Sequence, residues 1–229
     1  MTERQDEAAL ARQVRIAARA LGRHGLVHAY GHCSARLDAE TFLVCPPKPM
    51  GLTEPGEACT RVPVNGPLPD GVLGEVRLHQ HIYRRRPEAG GVVRFMSPNM
   101  MTLAALGRVP AARNGFGCYF SPGAGLWDDP QLIRDDEKAV GAIDAMGDSA
   151  AVLMRGNGAV TAGDSLIEAV VLAWYLEDAC RIELDALRTG LAETAPTIGP
   201  EAAKARATKA GQIFERMWAH LTAGDPELA

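Results

Sequence analysis

Apolar positions recur along this chain in two rhythms, one of three to four residues and one of short β-branched runs. Over residues 6–21, Leu10, Val14, Ala17 and Leu21 share one face, which predicts an amphipathic helix closed by Gly22. GLVHAYGHCSARLD (25–38) reads as a turn into a first strand. TFLVCPP (41–47) reads as a second strand, and TRVPVNG (60–66) as a third that ends in a turn. Residues 75–86 lack Pro and Gly and set Leu78, His79, Ile82 and Tyr83 at helical spacing. Pro87 stops this helix after three arginines that suit the helix dipole. GGVVRFM (90–96), bounded by glycines and Pro98, reads as a buried strand, and 98–106 as a short helix with Pro98 at its start. Residues 109–121 show no period. A helix is expected from Asp129-Pro130 to about Met146, closed by Gly147. AAVLM (150–154) and AVTAG (159–163) read as strands around a tight turn, for which Asn157-Gly158 is a strong hairpin signal. Asp164 or Ser165 caps a long helix to about Leu187, with Ser165 and Glu168 in the form of a capping box. A polar linker (189–199) leads to a last helix from Pro200. Its Ile213, Met217, Trp218 and Leu221 suit docking on the domain or on a neighbouring subunit. Helices flanking several short strands make the class α/β, with one domain over 1–190 and a linker and C-terminal helix over 191–229.

Composition narrows the functions. A chain of 229 residues with 47% hydrophobic side chains supports one sizeable core. Net charge of −4 and an isoelectric point near 5.9 give no footprint for nucleic acid. The opening MTERQDEAAL has no apolar core of a signal peptide, and the run 169–176 is too short to span a bilayer. Five scattered cysteines without a CxxC pair fit reduced thiols. The expectation is a cytoplasmic protein with no membrane partner.

One strand position departs from what packing alone would choose. Arg94 sits near the end of GGVVRFM, and a buried guanidinium is costly unless it meets an anion or a carboxylate. Around it stand Glu75 four residues before His79, GLVHAYGHCSAR before the first strand, LMRGNGAV (153–160) at the hairpin, and LED (176–178) in the long helix. Together these resemble the class II aldolase/adducin family, closest to its branch of aromatic and heterocyclic acid decarboxylases, over roughly residues 8–190. The resemblance implies a three-layer α/β/α sandwich around a mostly antiparallel sheet. It also implies a homotetrameric ring with active sites between subunits. In such enzymes a His-x-His at the strand end and a third histidine in the later turn hold a divalent metal. Here Arg94, Met96 and Asn157 stand at those three positions, so neither a metal nor another cofactor is expected. Pro46-Pro47-Lys48 and Leu73-Gly74 stand where parts of a phosphate site belong, so the expected substrate is not phosphorylated. His32 replaces a usual Asn, while Ser34 and Arg36 remain.

The candidate residues each carry two readings. Glu75 is a solvated helix carboxylate or, as the resemblance implies, the catalytic acid/base. Arg94 is a strand-edge arginine paired with an acid, or a planar clamp for a carboxylate or an enolate. Met96 reads as pocket wall, since a thioether suits Cu(I) rather than harder ions. Asn157 is a turn residue or a donor to substrate oxygen. His79 reads as a hydrogen-bonded half-buried histidine, and His32, Ser34 and Tyr119 as further substrate contacts. A metal site from His28, His32 and His79 has no spacing signature. The leading expectation is a metal-independent lyase on a small carboxylate. It would decarboxylate or cleave a C–C bond through an enolate-like intermediate. Isomerisation, cyclisation or dehydration would use the same pocket. Against it stand a non-catalytic adducin-like binding or assembly protein and a metal enzyme with other ligands.

Overall fold

A computed structural model describes residues 6–228. The first five residues, part of the charged opening stretch and of the 1–190 domain, lie outside the described residues, as does residue 229. The order is α1 (Glu7–Arg23), β1 (His32–Arg36), β2 (Thr41–Val44), β3 (Thr60–Pro63), α2 (Arg77–Arg85), β4 (Gly91–Phe95), α3 (Pro98–Ala105), β5 (Gly125–Trp127), α4 (Asp136–Met146), β6 (Ala151–Met154), β7 (Gly158–Gly163), α5 (Leu166–Arg188), α6 (Pro200–Arg206) and α7 (Ile213–Thr222). The strands form one sheet in the order β3-β2-β1-β4-β7-β6-β5, antiparallel except for the β5–β6 pair. Helices α1, α3 and α5 cover one face, with α7 packed on α5 and α1. Helices α2 and α4 cover the other. The architecture is the three-layer sandwich expected from the sequence.

Strand alternation decides which side chains reach the site. In β1 the Cys33 thiol turns to the α1 side, where it meets Val14 O. His32 and Ser34 therefore turn to the α2 side, and so does Arg36, whose guanidinium donates to Tyr83 O at 2.8 Å and Ala89 O at 2.7 Å. Tyr83 O and Arg86 O, the latter accepting at 3.1 Å, lie at the negative end of α2, so the buried charge of Arg36 is matched by the helix dipole. The ladder pairs His32 with Arg94, so β4 delivers Arg94 to the same face.

Several boundaries differ from expectation for identifiable reasons. Glu75 lies in a 3₁₀ turn, Gly74–Val76, that precedes α2, rather than in the helix itself. Helix α4 starts seven residues late. The Asp129 carboxylate accepts from Gln131 N and makes a local turn, whereas Asp135 accepts from Lys138 N at 2.8 Å and is the true cap. Strand β5 was not expected, because three residues carry no periodic signal. The expected single last helix is two, α6 and α7, interrupted where Gly211 and Gln212 take positive φ. The α1 helix runs through Gly22 to Arg23.

Candidate active site

A cavity of about 970 Å³ opens at the end of β1, β4 and the β6–β7 turn. Glu75, Arg94, Met96, Asn157 and His32 all line it. Arg94 is 3% exposed. Its Nη2 donates to Asn157 O at 3.0 Å and to Asn157 Oδ1 at 2.8 Å, and lies 3.1 Å from Glu75 Oε2. Asn157 Nδ2 in turn donates to Glu75 Oε1 at 2.9 Å. Cation, carboxylate and amide thus form a closed triangle on the cavity wall. The Asn157 amide orientation follows from it, since the arginine needs an acceptor and the carboxylate a donor. Burial lowers the Arg94 pKa and the Glu75 charge raises it. The Nη2 atom takes all three contacts, while Nε is buried without a partner.

The turn that presents Asn157 is built on its glycines. Met154 pairs with Gly158, so residues 155–157 form the loop and Asn157 N donates to Met154 O at 2.9 Å. Gly156, at φ 73°, takes the left-handed slot, which leaves Asn157 free to turn its side chain inward. The expected Asn-Gly two-residue turn is not the one formed.

His79 and Ser34 lie behind this wall rather than on it. His32 Nδ1 and His79 Nε2 are 2.7 Å apart, His79 Nδ1 and Ser34 Oγ 2.6 Å, and Ser34 Oγ and the Tyr83 hydroxyl 2.9 Å. Burial, then the Arg94 charge, lowers the His79 pKa to about 3. Burial, His79 and Arg94 push the His32 pKa down as well. Both rings are therefore neutral near pH 7. The expected half-buried His79 is fully buried. Tyr119 is a correction: its hydroxyl donates to Thr208 O at 2.7 Å and its ring packs on Tyr175 and Phe214, so it does not line the cavity.

Sequence reasoning missed other parts of the wall. Lys48, Leu73 and Arg134 line the cavity, as does Leu132. Arg134 and Leu132 are carried there by the irregular segment before α4, which the expected early helix start concealed. Lys48 is bridged to Glu57 at 3.1 Å and Arg94 to Glu75, so Arg134 carries the lining's excess of positive charge.

These donors do not suit a divalent ion. A guanidinium already paired with the carboxylate occupies the wall, and Met96 is a soft ligand. Among the described residues, no group of three or more His, Cys, Asp or Glu side chains is arranged to hold a metal. His28, His32 and His79 do not form one. The first is exposed and accepts from Ala29 N, and the other two spend their facing nitrogens on each other. No helix among the described residues is long and apolar enough to cross a membrane.

Comparison with known proteins gives the family and the fold. A family model described as Class II Aldolase and Adducin N-terminal domain matches residues 12–184. A 3,4-dihydroxyphthalate decarboxylase from Terrabacter sp. (strain DBF63) is 31% identical over 181 residues, covering 71% of this chain and 74% of its own. A protein of the same name from Arthrobacter keyseri is 29% identical over 201 residues, covering 77% and 78%. Among solved structures, L-fuculose-1-phosphate aldolase from Thermus thermophilus superposes with a TM-score of 0.71 at 24% identity, over 83% of this chain and 100% of that one. That likeness speaks to the fold alone.

Proposed function

The chain belongs to the class II aldolase and adducin family, and within it we propose a metal-independent decarboxylase acting on a small, non-phosphorylated, hydroxylated aromatic carboxylate. The observation that carries this reading is the buried Arg94, held by Glu75 and Asn157 at the wall of an open cavity. Arg94, Met96 and Asn157 are read as standing in place of the family's metal-binding histidines. The guanidinium then puts permanent positive charge where a metal's charge would act. The substrate class is supported by the relatives' names and by the excess of cations in the lining.

The chemistry follows from the placement. The substrate carboxylate and an adjacent ring hydroxyl face Arg94 and Glu75. Glu75 takes the hydroxyl proton, and the resulting phenolate oxygen is stabilised by the arginine. Glu75 returns that proton to the ring carbon bearing the carboxylate, which leaves a ketone in the ring. The C–C bond to the carboxylate then breaks, CO₂ departs, and its electron pair restores the aromatic ring as a phenolate. Solvent supplies the last proton. Isomerase, cyclase or dehydratase chemistry would draw on the same pair of residues.

The test uses 3,4-dihydroxyphthalate. Its decarboxylation next to the ring hydroxyl gives 3,4-dihydroxybenzoate, so CO₂ and this product are the expected outcome, unchanged by a chelator. Arg94→Met should cut turnover by on the order of tens to thousands of fold while the protein stays folded, with Arg94→Lys recovering part. Glu75→Gln should be comparably slow yet still bind the product. Full activity in Arg94→Met removes the arginine from the reaction and places the chemistry elsewhere. No CO₂ from the unaltered protein would favour a non-catalytic binding protein, a reading that the Arg94–Glu75 pair also supports, because an internal carboxylate already meets the cation.

The proposal includes a homotetramer. Tyr30, Leu73 and Leu132 are exposed apolar side chains at the rim of the cavity, where a neighbouring subunit would cover them. Light scattering should give four times the 24.4 kDa chain mass, and a monomeric mass at micromolar concentration refutes it.

A further inference from the structure

We infer that His32 presents a fixed Nε2–H donor to a substrate oxygen, and that Tyr83, Ser34 and His79 are the positioning residues that fix this tautomer. The inference rests on the cavity being the reaction site. It starts from four buried polar side chains in a row, Tyr83, Ser34, His79 and His32, which touch in that order. Both imidazoles are neutral, so each ring has one N–H, and one proton lies between the two rings.

The row can be wired in two directions. In the first, the Tyr83 hydroxyl donates to Ser34 Oγ, Ser34 donates to His79 Nδ1, and His79 Nε2–H donates to His32 Nδ1. The His32 proton is then on Nε2. Every hydrogen inside the row is donated, and the single loose end is His32 Nε2–H. In the second, His32 Nδ1–H donates to His79 Nε2 and His79 Nδ1–H donates to Ser34. Ser34 and Tyr83 are then left with two hydroxyl hydrogens and one bond between them, so one hydrogen is orphaned in the core. The structure gives the Tyr83 hydroxyl no other partner. A buried donor without an acceptor is costly, so the first direction prevails.

The loose end falls where a ligand can use it. His32 lines the cavity, is 2% exposed, and its Nε2 is buried without a partner. Its neighbour across the β1–β4 ladder is Arg94, whose Nε is likewise without a partner. Two unspent donors therefore belong to paired residues that both line the cavity. An oxygen carrying negative charge, such as the phenolate that forms during decarboxylation, satisfies both. Neutral His32 adds a directed hydrogen bond to the charge that Arg94 supplies, and neither group need change protonation.

The wiring is read without any ligand. In protein labelled with ¹⁵N at its six histidines, long-range ¹H–¹⁵N spectra report each ring's tautomer, and His32→Gln assigns the His32 signals by their loss. His32 and His79 should both appear as Nε2–H tautomers at pH 7. Ser34→Ala, which cuts the row, should give a mixture at His79 and His32. An Nδ1–H tautomer at His32 in the unaltered protein overturns the inference whatever reaction the protein performs. The contact itself is tested with 3,4-dihydroxybenzoate. His32→Phe should weaken its binding on the order of 10- to 100-fold, and His32→Gln, whose amide returns a donor near Nε2, should recover part. Equal affinity in all three proteins overturns the contact, while failure of the decarboxylation assay alone leaves the tautomer result standing.

Discussion

Arg94 and His32 face each other across one rung of the sheet, and both are polar groups that the core holds at a price in solvation. Arg94 offsets it through Glu75 and Asn157, and His32 offsets it by remaining neutral, as does His79 behind it. The second choice has a consequence for stability. His79 in the fold has its pKa lowered to about 3 from an ordinary 6.5, chiefly by burial. Between those values the unfolded chain binds a proton that the folded chain refuses. Stability is therefore complete above the ordinary value and falls as the pH falls through the window, by about 1.4 kcal/mol per pH unit for each such ring. Urea unfolding should show a loss of about 2 kcal/mol between pH 7 and pH 5 from this ring. His32 is depressed too and acts in the same direction. Equal stability at the two pH values contradicts the neutral, buried assignment. At this scale the sequence made Arg94 conspicuous, because a charge in a β-branched run is anomalous. The resemblance singled out Glu75, Met96 and Asn157. It marked His32, Ser34 and His79 one by one but not the row they form with Tyr83, because that row joins β1 to α2 through the pleat and no linear spacing records which face of β1 meets which face of α2.

Elements were legible where period and punctuation agreed. Helix α5 has its Ser165 cap, with the side chain accepting from Glu168 N, and α1 has its apolar stripe. Legibility failed where one residue type serves two local structures. Asp129-Pro130 has the form of a helix start, yet the Asp129 side chain closes a two-residue turn and sends Leu132 and Arg134 to the cavity. The β6–β7 turn is the functional instance. Gly158 has φ 88°, and a Cβ there would lie 2.3 Å from Phe95 O. Gly156 has φ 73°, but its nearest neighbour to an added Cβ is Pro130 at 3.9 Å. Gly156→Ala should therefore cost only the left-handed backbone, about 1 kcal/mol. Gly158→Ala should cost about 3 kcal/mol, because backbone crowding against β4 is added to that strain. Thermal unfolding of the two variants decides it, and equal losses would mean that the turn does not press on β4. If the turn also orients Asn157, Gly158→Ala should weaken binding of 3,4-dihydroxybenzoate in the protein that remains folded.

The whole molecule is closed by a segment that the pattern of the chain did not reveal. The α/β class could be read from the alternation of strands and helices, since each needs a covered face, and the resemblance implied the sandwich. The end of the chain could not, because Asp225 and Glu227 look like ordinary surface acids in a polar tail. They are the opposite. Arg19 on α1 grips Asp225 with two bonds, Nε at 2.8 Å and Nη2 at 2.6 Å, and the Asp225 side chain is fully buried. Glu227 takes Arg19 Nη2 at 2.7 Å and Arg15 Nε at 3.0 Å. Two arginines one helical turn apart thus clamp two carboxylates two residues apart, and the clamp holds α7 against α1 and α5. Asp225→Asn leaves Arg19 with Glu227 as its one remaining carboxylate and weakens two charge-assisted bonds at a fully buried position, so it should cost about 3 kcal/mol. For a chain of this length that is a fall in melting temperature of roughly 6–12 °C. Burial alone would raise the Glu227 pKa, but the hydrogen bonds from Arg15 and Arg19 outweigh it and hold the group at about 2. A carboxylate depressed in this way stabilises the fold fully above its ordinary value of 4.5 and ceases to do so as the pH falls through about 2. Glu227→Gln should flatten the acid limb of the stability profile between those values while leaving the limb from pH 7 to 5 in place, since that one belongs to the histidines. An unchanged acid limb in Glu227→Gln would show that the tail is not what acid releases first.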